Sequence, residues 1–341
     1  MNCCQNNTEE PKEKSETPEV NDRANETLSH GQAVIVPNPW KAATLVVATA
    51  LIFTLTFGVL WSTGVIQVGG MNSIMEVKSE AGGAITKDST VFASIMPESV
   101  TLPITWGDIG TQLLSTGVID EQKFEALYES RGGMSDMMKS MLHETDMKDI
   151  VMTEENAQDM LNVFWAFGVA NKNSILTEGP MVDKQYGSDP SRFAATGGWT
   201  LRTGDIMDHY SKHTFVTLTD EQQARVEAVS KGIFRPCCNN ATYFPDCNHG
   251  MAMLGLLELL AANDVSEDDM YSIALGVNTY WFPSTYETIA LFLDQKGTSF
   301  DAVAPKDILG QGLSSGSAFQ AVEAALAGPA APQQGGGGCS V

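Results

Sequence analysis

The hydrophobic pattern divides the chain into unlike stretches. Residues 1–39 are polar and contain no aromatic side chain. They cannot bury enough apolar surface to offset their ordering entropy, so a disordered tail is expected. Nineteen residues from Ala42 to Leu60, AATLVVATALIFTLTFGVL, then carry no charge at all. At about 1.5 Å per residue the run is roughly 28 Å long, close to the hydrocarbon thickness of a bilayer. Trp40 and Trp61 bracket it as interfacial anchors, with Lys41 at its edge. The pattern predicts a membrane-spanning helix over 40–61, with the bilayer as the partner of residues 42–60. The run starts late and is longer than a secretory h-region, so an uncleaved signal anchor is expected. Lys41 and Arg23 precede the span and Lys78 is the first base after it. This slight excess places the N-terminus inside and the C-terminal domain outside the cytoplasm.

Residues 62–98 hold Gly69, Gly70, Gly82 and Gly83 with few large apolar residues, the composition of a stalk. From 99 to 305 the pattern becomes helical. VIDEQKFEALYES and Met134–Leu142 repeat apolar residues at helical spacing. Thr153-Glu-Glu-Asn opens the strongly apolar AQDMLNVFWAFGVA, and Thr219-Asp-Glu-Gln is a capping box. Ser266-Glu-Asp-Asp starts another helix, which Pro283 breaks before TYETIALFL. No alternating pattern with hairpin turns stands out. The expected fold class is all-α: a single transmembrane helix and a globular ectodomain of about eight helices. Residues 306–341 read as a tail with a short helix over 318–326, then the linker GPAAPQQGGGG and Cys339-Ser-Val.

Charge narrows the function. The chain has 341 residues with 42 acids against 20 bases, a net charge of −22. Nucleic-acid binding is excluded as an expectation, since phosphate contacts need clustered Lys and Arg. Most of the acidity follows residue 41; such a surface attracts cations in general. Six cysteines are too few for a disulfide-dense scaffold. Cys3 and Cys4, far from the span, read as inert thiols.

The candidate chemistry lies in RPCCNNATYFPDCNHGMAMLGLLELL, residues 235–260. It sets Cys237, Cys238, Cys247 and His249 within thirteen residues, in a loop between two helix ends. Three sulfurs and an imidazole are a soft donor set suited to copper or zinc. The adjacent cysteines depart from C-x2-C finger spacing. Met251 and Met253 extend the soft series, but on a helix they lie about 200° apart and cannot both face the loop. Three readings stay open: a metal centre on these four residues, a disulfide-stabilised surface interaction module without catalysis, and a thiol oxidoreductase. Cys247 can pair with Cys237 or Cys238, and the leftover thiol with Cys339. Asn240-Ala-Thr is also a glycosylation sequon inside the loop.

Other features read more simply. Asp205, His209 and His213 share one face if helical, and a solvated face is the simpler expectation. The methionines from Met134 to Met152 read as core stripe before copper cluster. Tyr280, Trp281, Phe282 and Tyr286 read as core. No nucleophile elbow, phosphate loop or dinucleotide fingerprint occurs in a plausible context.

The run PCCNNATYFPDCNHGMAMLGLLELLA resembles that of an uncharacterised family of single-pass, extracytoplasmic prokaryotic membrane proteins with no assigned activity. LPITWGDIGTQLLSTGVIDEQKFEALY and DPSRFAATGGWTL resemble further parts of its pattern, together covering roughly residues 100–293. The resemblance implies an anchored domain with a Cys/His loop, and no substrate, cofactor or mechanism.

Overall fold

A computed structural model describes residues 95–129 and 131–328. The predicted tail, the span over 40–61, nearly all of the stalk, and Cys339 lie outside the described residues. Among the described residues no helix is long and apolar enough to cross a membrane.

The described body is mostly helical, with one correction to the all-α expectation. Strands β1 (Val100–Gly107) and β2 (Met147–Met152) pair antiparallel in a two-stranded sheet. Leu102, Ile104 and Trp106 of β1 point into the core, while Thr101, Pro103 and Thr105 are exposed. That is a period-2 pattern. It was concealed because the partner strand is some forty residues away, and because Pro103 interrupts the run. Pro103 falls within the register irregularity between Leu102 and Thr105, where a missing ladder donor does least harm.

Between the strands lie α1 (Ile109–Ser115), α2 (Glu121–Glu129) and α3 (Asp136–His143). Ser135 caps α3 by accepting from the Met138 N–H. Met138, Met141 and Met152 are buried in the core, so the methionine stripe is packing.

The centre of the body is the crossing of α4 (Ala157–Ala170) with α8 (Asn248–Ala262). Helix α8 is buried from Gly250 through Ala261. A helix that is apolar all round has no solvent face to define an amphipathic period. The two backbones meet at Gly168 and Gly255. A Cβ at Gly168 would overlap the Met251 carbonyl oxygen, and one at Gly255 would lie 2.7 Å from the Phe164 oxygen. Two glycines are therefore what allow this approach.

Around this pair lie α5 (Ser174–Glu178), α6 (Ala194–Gly197), α7 (Asp220–Gly232), α9 (Glu267–Trp281) and α10 (Pro283–Gln295). The Thr219/Gln222 capping box of α7 is formed as its sequence predicts. After α10 come α11 (Pro305–Ile308), α12 (Gln311–Ser314) and α13 (Gly316–Ala327). Ile308, Leu309 and Val322 are buried, so the ordered body runs on to Ala327. The described residues thus form thirteen α-helices rather than about eight. The five unforeseen ones (α1, α5, α6, α11 and α12) have seven residues or fewer, too short to show a 3.6-residue period.

Candidate metal centre

The loop between α7 and α8 is closed at its base by backbone pairing. Phe234 bridges Ala241, and the Thr242 N–H donates to the Ile233 carbonyl at 2.8 Å. The Thr242 hydroxyl donates to the same oxygen and is buried. Asn240 Nδ2 donates to Asp246 Oδ2 at 2.8 Å, so the sequon asparagine is part of the loop's own bonding.

Arg235 is the post around which the loop folds. Its side chain is 1% exposed. Nη1 donates to the Ala241 carbonyl; Nη2 reaches the Phe244 carbonyl at 3.1 Å, Asp246 Oδ1 at 2.7 Å and Cys238 Sγ at 3.2 Å. A planar guanidinium can donate to acceptors in several directions from a rigid fork, as a lysine cannot. Burial works against its charge, but the Cys247, Cys238 and Asp246 groups more than offset this, and its pKa is raised. Burial also raises the Asp246 carboxyl, against the pull of Arg235. Gly250, in the first turn of α8, leaves room for this guanidinium: a Cβ there would overlap Nη1.

Cys247 is the N-cap of α8, and its sulfur accepts from the Gly250 N–H at 3.4 Å. Its bond to Cys237, the Arg235 charge and the Gly250 amide favour a thiolate there, but its bond to Cys238 and burial outweigh them and its pKa is raised. The N-terminus of α13 grips the other side of the loop: Gly316 N–H donates to the Cys238 carbonyl at 2.7 Å, and Ser317 N–H to Asn239 Oδ1 at 2.8 Å.

The sulfurs of Cys237 and Cys247 lie 3.6 Å apart. The ligating atoms of Cys237, Cys247 and His249 all fall within 4.8 Å of one another. Those of Cys238, Asp246 and Cys247 do the same. The four sequence-predicted donors and Asp246 therefore form two overlapping triads that share Cys247. Cys238 belongs to the triad with Asp246, and its sulfur is bonded to Arg235. The three thiols are free.

His249 lies tilted against Phe282 with ring centroids 4.5 Å apart and meets Trp281 edge-on at 6.0 Å. The predicted aromatic knot thus walls the imidazole. Burial, with the nearby Arg235 charge, lowers its pKa to about 4, so the ring is neutral at neutral pH and can act as a nitrogen ligand. Nδ1 lies 3.0 Å from Asn248 Oδ1; the tautomer protonated at Nδ1 leaves the Nε2 lone pair free. Hydrogen bonds from Cys237 and Cys247, then the Arg235 charge, hold Cys238 well below the usual thiol range. Cys237 is raised by the same thiol–thiol bonds.

A zinc-like ion with metal–sulfur bonds of about 2.3 Å holds tetrahedral sulfurs roughly 3.8 Å apart, close to the spacing of Cys237 and Cys247. Two thiols and a neutral imidazole therefore fit a soft ion. Three protein donors leave one position of a tetrahedron open, as in exchanging or catalytic sites.

Sequence reasoning passed over Arg235 and Asp246. The signal was a base and an acid set among three cysteines in an otherwise uncharged loop. Met251 and Met253 are buried in the core and play no part at the loop. His209 and His213 do not form a solvated helix face, because only Ile206–Asp208 is helical there, as one 3-10 turn. Instead the rings stack, with His209 Nδ1 3.1 Å from His213 Nε2, and His209 is buried. Comparison with protein-family models, curated proteins and solved structures finds no match.

Proposed function

We propose that this chain is a membrane-anchored protein whose mostly helical domain, held outside the cytoplasm, binds a soft metal ion for metal handling or electron transfer. Copper and zinc both suit the donors. Cys237 and Cys247 supply thiolate sulfur and His249 supplies nitrogen. Cys238 stands outside this set, bonded to Arg235. The convergence of three soft donors within 4.8 Å, on a loop braced by a buried arginine and two helix ends, carries the reading. The open fourth position favours delivery or exchange over a purely structural role. The anchor rests on the uncharged run 42–60 and on the family resemblance.

The test is metal content by mass spectrometry of the purified full-length protein, paired with a thiol count. Near-stoichiometric copper or zinc is expected, lost on Cys247→Ser and kept on Cys238→Ser. Metal-free protein with Cys237 and Cys247 oxidised would instead favour the disulfide-stabilised interaction module, the second reading that their 3.6 Å separation allows.

A further inference from the structure

The thiol left outside the ion's donor set has a setting of its own. Cys238 is half-exposed, its sulfur accepts from the buried Arg235 Nη2 at 3.2 Å, and it lies within 4.8 Å of the Cys247 sulfur. Cys247 is common to both triads. We propose that Cys238 and Cys247 exchange with small-molecule disulfides, and that this reaction and metal binding exclude each other because both require Cys247. The inference rests on the metal-binding reading for its second half only.

The Cys238 sulfur attacks one sulfur of R–S–S–R, forming a Cys238–S–S–R bond and releasing one RS⁻. The Cys247 sulfur then attacks the Cys238 sulfur, closing a Cys238–Cys247 bridge and releasing the second RS⁻. Two protons from the cysteine thiols convert both leaving groups to RSH. The external disulfide gains two electrons and the cysteine pair loses two.

The surroundings suit each role. The Arg235 guanidinium is fixed by the Phe244 and Ala241 carbonyls and Asp246, so its Nη2–H is already aimed at the attacking sulfur. Cys247, partly exposed at the head of α8, lies within reach of what Cys238 has captured. The bridge removes a thiolate from the Cys237/Cys247/His249 set, leaving one sulfur and one nitrogen, which hold a soft ion weakly. A bound ion in turn occupies Cys247 and stops the exchange at the mixed disulfide, which is reversible. An extracytoplasmic location supplies the oxidising disulfides this requires.

The experiment uses full-length protein stripped with chelator, then treated with oxidised glutathione. Two molecules of reduced glutathione should be released per chain, and peptide mapping should find the Cys238–Cys247 bridge. Prior loading with zinc should slow release of the second glutathione by about tenfold or more, since metal-bound thiolate must first dissociate. Cys238→Ser should slow it at least about tenfold while keeping its zinc. Cys237→Ser should lose zinc and still form the bridge. A Cys237–Cys247 bridge instead, or full-rate release in Cys238→Ser, would overturn the exchange, and full-rate second release from zinc-loaded protein would overturn its exclusion by metal. Zinc stoichiometry of the untreated protein judges the metal reading separately. Protein that holds no zinc but forms the Cys238–Cys247 bridge supports the exchange and overturns only its link to metal.

Discussion

Glu258 lies in the middle of α8 with its side chain fully buried. Asn171 Nδ2 donates to its Oε2 at 2.6 Å, while its Oε1 has no hydrogen-bond partner. Burial raises its pKa from 4.5 to about 8, against the hydrogen bond of Asn171 and the nearby Asn173 amide. The carboxyl therefore holds its proton more tightly folded than unfolded. Its contribution to stability is complete below pH 4.5 and is lost as pH rises toward 8, because the unfolded chain ionises first. At about 1.4 kcal/mol per unit, the loss across that window is about 5 kcal/mol. Glu258→Gln keeps the shape and an acceptor for Asn171 but cannot ionise. Urea unfolding of both proteins, followed by tryptophan fluorescence from pH 4 to pH 9, isolates the effect, since every other titrating group cancels in the difference. The variant should gain about 5 kcal/mol relative to the parent over this range. In melting temperature that is roughly 10–20 °C for a body of this size. A difference that stays flat with pH would show that Glu258 is ionised in the fold, and the reasoning would fail.

Three further outcomes follow from the packing and the site. Gly168→Ala should destabilise by about 1–3 kcal/mol in urea unfolding, because the new methyl meets the Met251 carbonyl. A gain of about 1 kcal/mol, the ordinary helix preference for alanine, would mean the helices do not touch there. Arg235→Met should cost about 3 kcal/mol by leaving the partly buried Asp246 charge without its partner. Adding Asp246→Asn should recover part of this in the same assay; no recovery would refute charge pairing as the cause. His249→Ala should lower zinc affinity, measured by competition with a coloured chelator, without altering the rate of glutathione release. Equal zinc affinity would remove the imidazole from the site.

The eight longer helices were legible in the sequence because each leaves a local mark. Thr219 with Gln222 and Ser266 with Asp269 are capping pairs three residues apart, and they form as written. The cysteine loop was legible for the same reason: its donors lie within thirteen residues, so proximity along the chain implies proximity in space. What escaped was long-range. β1 takes its partner from across three helices, and the Gly168–Gly255 crossing joins segments that no local period connects.

Within the site, the sequence determined which atoms are available, three sulfurs and one imidazole, and that they are soft donors. Only the tertiary structure decided how they are shared. A buried guanidinium needs counter-charge, so Arg235 draws Cys238 and Asp246 to itself. Phe282 and Trp281, from the turn between α9 and α10, wall His249 beside Cys237 and Cys247. Composition cannot express that division, because it follows from which side of the loop is given a positive charge and which an aromatic wall.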